Sequence, residues 1–232
     1  MPKNSAGKLI AITGLPASGK TTLINGLKAA LGRACFVSQP PKEWQRDPRV
    51  QALLEGRQAP GFTEEDEIDL SISLRYRQQQ REILPCLERG VDVVVHRYLC
   101  CLLAYYYATG SIPLAAIEAK AQSILKPDVS LYLDIPAACS IQRTLSRQKP
   151  FFAHQVDPQF IGRMRAGYLK LGERNGAFVL DGTLPGEWIL EAALEVLWVQ
   201  GVLIGEGVKD SSPANEGPPV VRDELGRIPL HL

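Results

Sequence analysis

The sequence predicts an α/β fold, a mostly parallel five-stranded sheet flanked by helices in three layers. Three observations carry that prediction. Short β-branched runs alternate with long helical patterns, the order that builds parallel sheets through crossover helices. The runs are apolar almost throughout, as strands covered on both faces are. Of the 232 residues, 45% are hydrophobic and 22% charged, which suits one α/β domain with a buried core.

Strands are predicted over 9–13, 35–38, 91–95, 129–134 and 177–180. A helix over 20–31 should stop at Gly32 acting as a left-handed cap. Thr63-Glu64-Glu65-Asp66 has the form of a capping box and opens a helix running toward Arg89-Gly90. Pro85 should kink its last turn. A third helix starts after Ser111 and ends before Pro127. Pro136 and Pro158 suit first helical turns, the latter with Asp157 as its cap. A final amphipathic helix covers 185–203. The domain is predicted to span 1–204. The remainder, 205–232, is rich in Gly, Pro, Asp, Glu and Ser without aromatics, a composition that predicts a flexible tail.

A net charge of +1 excludes a global field toward nucleic acid or an anionic membrane. The longest apolar stretch, 188–204, is broken by Glu191, Glu195, Gln200 and Gly201, which argues for a packed helix and against a bilayer span. The amino terminus lacks the long apolar core of a signal peptide. The five cysteines form no C-x-x-C pair and read as reduced thiols of a cytoplasmic protein. Three histidines are too few and too scattered for a zinc site.

The chemistry is concentrated after the first strand. Gly14-Leu15-Pro16-Ala17-Ser18-Gly19-Lys20-Thr21 matches G-x-x-x-x-G-K-[ST], set between an apolar strand and a helix, with Thr22 following. Glycines let the backbone wrap an anion, and successive N–H groups point inward at it. The helix beginning at Lys20 adds its positive dipole end. In such a P-loop Lys20 reaches the β and γ phosphates of ATP, and the Thr21 hydroxyl is placed to ligand Mg²⁺. This predicts a phosphotransferase acting on a small phosphorylated or hydroxyl acceptor.

Four further landmarks follow. They are Val93-Val94-Val95-His96-Arg97-Tyr98 with Leu103-Ala104-Tyr105; Arg75-Tyr76-Arg77-Gln78; Pro127-Asp128 to Leu133-Asp134 with Arg143 and Arg147; and Phe160 to Leu169. With the P-loop, they make the chain from about Lys8 to Leu203 resemble the thymidylate kinase family of P-loop nucleoside monophosphate kinases. The resemblance implies a P-loop NTPase three-layer fold with a mobile LID segment, and weakly a homodimer. It implies that Arg97 grips the acceptor phosphate, with Tyr98 and Tyr105 beside it, and that Arg75 lies over the acceptor base. It gives Arg143 the adenine, and Arg147 a place at the start of the LID, as either a cation for the transferred phosphoryl group or a helix-end charge. Arg163 and Arg165 stay outside the predicted site.

The sequence departs from the family pattern on the acceptor side. Pro16, Gln39 and His96 stand where the family carries acidic residues, and Ser71 where an aromatic stacks on thymine. Gln39 and His96 are therefore expected at the acceptor. The changes imply that thymidine monophosphate is not the preferred acceptor. Two other readings stand beside the kinase: a nucleotide-binding regulatory module of the same fold, and a deoxynucleoside kinase.

Overall fold

In the computed structural model, which describes residues 6–55, 57 and 60–202, the strand β1 (Leu9–Gly14) is buried along its whole length and forms the centre of the sheet. The other strands are β2 (Cys35–Ser38), β3 (Val93–His96), β4 (Val129–Asp134) and β5 (Phe178–Asp181). All pairings are parallel, in the order β2-β3-β1-β4-β5. The helices in chain order are α1 (Lys20–Ala30), α2 (Lys42–Arg46), α3 (Pro48–Leu54), α4 (Glu64–Gln78), α5 (Leu84–Glu88), α6 (Leu99–Thr109), α7 (Leu114–Lys120), α8 (Ala137–Leu145), α9 (Pro158–Asn175) and α10 (Gly186–Val199).

Two cores make the three layers. On one face Leu9, Ala11, Val93, Val95 and Tyr132 pack with Ile68, Ile72, Leu103, Ile117, Ile161 and Tyr168 from α4, α6, α7 and α9. On the other, Ile10, Ile12, Val94, Leu131 and Leu133 pack with Leu23, Leu27, Ile189 and Leu197 from α1 and α10. Alternate residues of each strand thus serve opposite faces. Every strand delivers its carboxyl end to one edge, the crevice where open parallel sheets hold ligands.

Several helix ends follow the predicted chemistry. The Thr63 hydroxyl accepts from the Asp66 N–H at 3.2 Å, and the Asp66 carboxylate accepts from the Thr63 N–H at 2.8 Å. Asp157 caps α9 by accepting from the Gln159 N–H at 2.9 Å, with Pro158 in the first turn. Pro136 sits one residue earlier than expected, just before α8 begins.

Other expectations need correction. Gly32 is not a left-handed cap: α1 ends at Ala30, with the Leu31 N–H bonded to the Leu27 carbonyl. Pro85 does not simply kink a last turn. The path widens into a π-helical turn over Gln79–Ile83 and resumes as α5 with Pro85 in its first turn, where the missing N–H matters least. The third predicted helix shortens to α7. Helix α6 has no counterpart among the predicted elements. Its sequence, LCCLLAYYYAT, is apolar all round, so it shows no stripe of helical period.

The cysteine reading is also corrected. Cys35, opening β2, and Cys86, on α5, are joined as a disulfide across 51 residues of sequence. Parallel pairing of β2 with β3 brings Cys35 under the helix that precedes β3, a proximity no local spacing reveals. Among the described residues, Cys100, Cys101 and Cys139 are free, and no helix is long and apolar enough to cross a membrane. The predicted tail, 205–232, lies outside the described residues.

Candidate active site

The turn after β1 has the backbone of an anion cradle. Gly14 adopts φ 148°, Ala17 φ 58° and Gly19 φ 98°, so three of six consecutive residues leave the usual right-handed region. At Gly14 a Cβ would lie 2.5 Å from the Leu133 carbonyl oxygen and 2.7 Å from Ser18 Oγ. Only glycine fits. Ser140 on α8 donates to the Pro16 carbonyl at 2.7 Å and ties the outer wall of the turn to the next layer.

Lys20 is folded into this cradle. Its ammonium donates to the Gly14 carbonyl at 3.0 Å, the Leu15 carbonyl at 2.5 Å and Ser18 Oγ at 3.1 Å. Burial, followed by repulsion from Arg97, pushes its pKa well below the ordinary lysine value. The cation is thus poorly compensated, a state that an incoming polyphosphate relieves. Thr21 and Thr22 are exposed at the start of α1. Among the described residues no group of three His, Cys, Asp or Glu side chains could hold a metal.

Next to the cradle lies a cavity of about 200 Å³. Pro16, Arg97, Arg75, Glu67, Tyr105 and Cys101 are among its walls. Arg97 follows β3 directly, with φ 67° in the left-handed region, an uncommon state for a side-chain-bearing residue and one that clusters at functional sites. Its N–H donates to the Ile12 carbonyl at 2.9 Å, so the end of β1 holds the strained residue in place.

Arg75 is only 3% exposed. One guanidinium nitrogen donates to the carbonyl and hydroxyl of Ser71, one helical turn back, while its Nε–H has no partner. Burial pulls its pKa down. Glu67, a further turn back, accepts from the Trp44 indole at 2.6 Å and the Tyr106 hydroxyl at 2.6 Å. Burial raises its pKa. The ring of Tyr105 meets those of His154 and Phe160 edge-on, with centroids 5.5 and 5.4 Å away.

Gln39 and His96 stand at the carboxyl ends of β2 and β3, and the Gln39 N–H donates to the His96 carbonyl at 2.9 Å. Gln39 Oε1 and His96 Nε2 are both buried without a hydrogen-bond partner. Burial, then Arg97, Lys20 and Lys28, lowers the His96 pKa to about 4, so the imidazole is neutral at pH 7. Neither side chain lines the cavity.

The other predicted residues divide. Tyr98 is placed away from the cavity: it is buried in the core, and its hydroxyl donates to the Leu125 carbonyl at 2.8 Å. Arg143 donates to the Gly182 carbonyl at 2.9 Å. Arg147 is exposed but near enough to act electrostatically on Lys20. Cavity residues absent from the sequence reading include Trp44, Glu67, Tyr106, Phe152 and His154. One signal for Glu67 was present: Glu67, Ser71 and Arg75 recur at four-residue intervals, a polar line along one helix face.

The strand–cradle–helix unit with its buried lysine, opening beside an arginine-walled cavity, defines a P-loop phosphotransferase of the nucleotide kinase class. The family comparison gives the particular branch. The thymidylate kinase family matches residues 12–192, and the chain belongs to that family. It is 30% identical over 210 residues to a thymidylate kinase of Alkalilimnicola ehrlichii, covering 84% of this chain and 97% of the relative. It is 32% identical to one of Xylella fastidiosa over 82% of this chain and 89% of the relative, and 30% identical to one of Nitrosomonas eutropha over 82% and 92%. The protein is an ATP-dependent nucleoside monophosphate kinase, and the regulatory-module and deoxynucleoside kinase readings are not favoured.

Proposed function

We propose that the cavity beside the P-loop takes the nucleoside monophosphate acceptor, with Arg97 on its phosphate and the cradle 14–21 on the phosphates of ATP. The observation that carries this reading is the position of Arg97. It is held in a strained conformation against β1, lines the cavity, and repels Lys20. One guanidinium therefore borders the cavity and also acts on the donor cation, where charge moves during phosphoryl transfer. Its planar fork suits a phosphate.

The cradle fits magnesium-bound ATP. Thr21 offers an exposed hydroxyl as a metal ligand, and the unpartnered Gln39 Oε1 and His96 Nε2 are buried polar atoms still needing hydrogen bonds. When bound, Mg²⁺ supplies charge neutralisation on the phosphate oxygens. Lys20 holds the transferring phosphates, Arg147 adds a cation from the exposed segment after α8, and Arg143 borders the adenine. Exclusion of water falls to the same segment as it closes.

Thymidine monophosphate is the reference acceptor, because the relatives carry that name. Ser71 is buried and bonded to Arg75, so it offers no stacking ring. The aromatic walls available to a base are Tyr105, Phe152 and His154, together with Trp44 and Tyr106, whose polar atoms are bonded to Glu67. We take this as a base seated differently, with a preference away from thymidine monophosphate. The reading places the protein in the cytoplasm beside nucleotide pools, with a homodimer as its assembly, which light scattering would test.

An ADP-release assay across nucleoside monophosphates tests the proposal. ADP release should require an acceptor and fall about 100-fold or more in Lys20→Ala. Arg97→Ala should raise the acceptor KM far more than the ATP KM. Equal losses in both would remove Arg97 from the acceptor phosphate.

A further inference from the structure

Cys101 occupies an unusual place for a thiol. It lies in the first turn of α6, half-buried, and lines the acceptor cavity. Arg97, Arg75 and Lys20 each interact with it electrostatically. The positive end of α6 adds to them. Arg75 supplies an independent sign of an anionic guest: it is 3% exposed, walls the same cavity, and keeps an unpartnered Nε–H.

The neighbours of the sulfur reinforce its thiolate form. Despite the opposing effect of burial, the adjacent Cys100 thiol and the Arg97 guanidinium hold the Cys101 pKa well below the usual thiol value. Cys100 is pushed the other way. Cys35 and Cys86 are spent on each other. Cys139, on α8, does not line this cavity. A partly exposed cysteine among cations at a helix start has the microenvironment of a reactive thiolate.

We propose that Cys101 is a covalent modification site, a nucleophile that captures small anionic electrophiles drawn into the cavity by Arg97 and Arg75. With an α-haloacid the sulfur attacks the methylene carbon and forms a carbon–sulfur bond as the carbon–halogen bond breaks. The halide leaves with the bonding pair, and the thiol proton passes to solvent. The product places a carboxylate beside the two arginines, where it competes with an acceptor phosphate. Neither the family match nor the relatives assign any role to this thiol.

The test uses the full chain at neutral pH, labelled in parallel with iodoacetate and iodoacetamide and mapped by peptide mass spectrometry, with free cysteine as reference. Cys101 should label first. Its iodoacetate-to-iodoacetamide rate ratio should exceed that of free cysteine by about tenfold. Inorganic phosphate should slow iodoacetate labelling. Arg97→Gln should return the ratio toward the free value while iodoacetamide still reaches Cys101. If that variant loses its far-UV circular dichroism, Arg75→Gln makes the same comparison. First labelling at Cys100 or Cys139, a ratio equal to that of free cysteine, or no effect of phosphate overturns the proposal. These arms need no nucleotide acceptor, so they are decided separately from the kinase reading.

Discussion

Arg165 closes on Asp134 with two parallel hydrogen bonds, Nε to Oδ1 at 2.8 Å and Nη2 to Oδ2 at 2.7 Å. Asp134 ends β4, one residue past the partner of Gly14 in the sheet, and it also accepts from the Tyr132 hydroxyl at 2.9 Å. Burial is the largest single influence and raises the Asp134 pKa, but the hydrogen bonds from Arg165 and Tyr132, the Arg165 charge and the Ile135 N–H together outweigh it, so the net shift is downward. Its contribution is therefore present above the usual carboxylate range and lost as pH falls through the lowered folded pKa. The pair is partly shielded, with side-chain exposures of 35% and 17%. Replacing Arg165 by Met should cost about 1 to 2 kcal/mol, more than an exposed ion pair does. Urea denaturation measures this, and no loss would mean that water serves Asp134 as well.

Gly14→Ala should be among the most damaging single changes to the cradle. The added methyl meets the Leu133 carbonyl oxygen, and a φ of 148° is foreign to alanine. A cost of about 2 to 4 kcal/mol is expected, with loss of ATP affinity because the turn must open. Chemical denaturation and nucleotide titration check the two effects separately. Wild-type behaviour in both would contradict the tight passage of β1 past β4.

Tyr106→Phe should unsettle the cavity wall. The change removes one of two hydrogen bonds to the buried Glu67 carboxylate, leaving the Trp44 indole. About 1 to 3 kcal/mol should be lost, because a buried acceptor is left short. Trp188 and Trp198 are exposed, so a fluorescence change on mutation reports mainly on Trp44. An unchanged spectrum with unchanged stability would refute the linkage.

His96 should make stability pH-dependent. An unfolded histidine takes up its proton near pH 6.5, whereas His96 does so at about 4. Between those values the unfolded chain binds more protons, so stability falls as pH drops through the window. After discounting for its half-buried position, the loss from pH 7 to pH 4 is about 1 to 2 kcal/mol. His96→Asn should flatten that part of the profile in denaturation measured at several pH values. A variant profile parallel to wild type would place the acid sensitivity elsewhere.

The elements legible in the sequence share a property: their signals are local. The strand over 129–134 and the caps at Thr63 and Asp157 depend on side chains within a few residues of one another. Helix α6 was not legible, since packing on most of its sides erases the amphipathic stripe. Tyr98 illustrates a different failure. It follows Arg97 directly, yet the strained turn sends the arginine to the cavity and the tyrosine to the core.

From sequence alone came the parallel sheet, the phosphate cradle with Lys20, and the lineage, because glycine-dependent dihedrals and inward N–H groups are set by consecutive residues. Tertiary structure alone decided that Arg75 is buried with an unspent donor, that Glu67 walls the cavity beside the cradle, that Cys35 meets Cys86, and that Cys101 sits among three cations. Burial and charge proximity are properties of segments brought together by the sheet order, and a one-dimensional pattern carries no record of those distances.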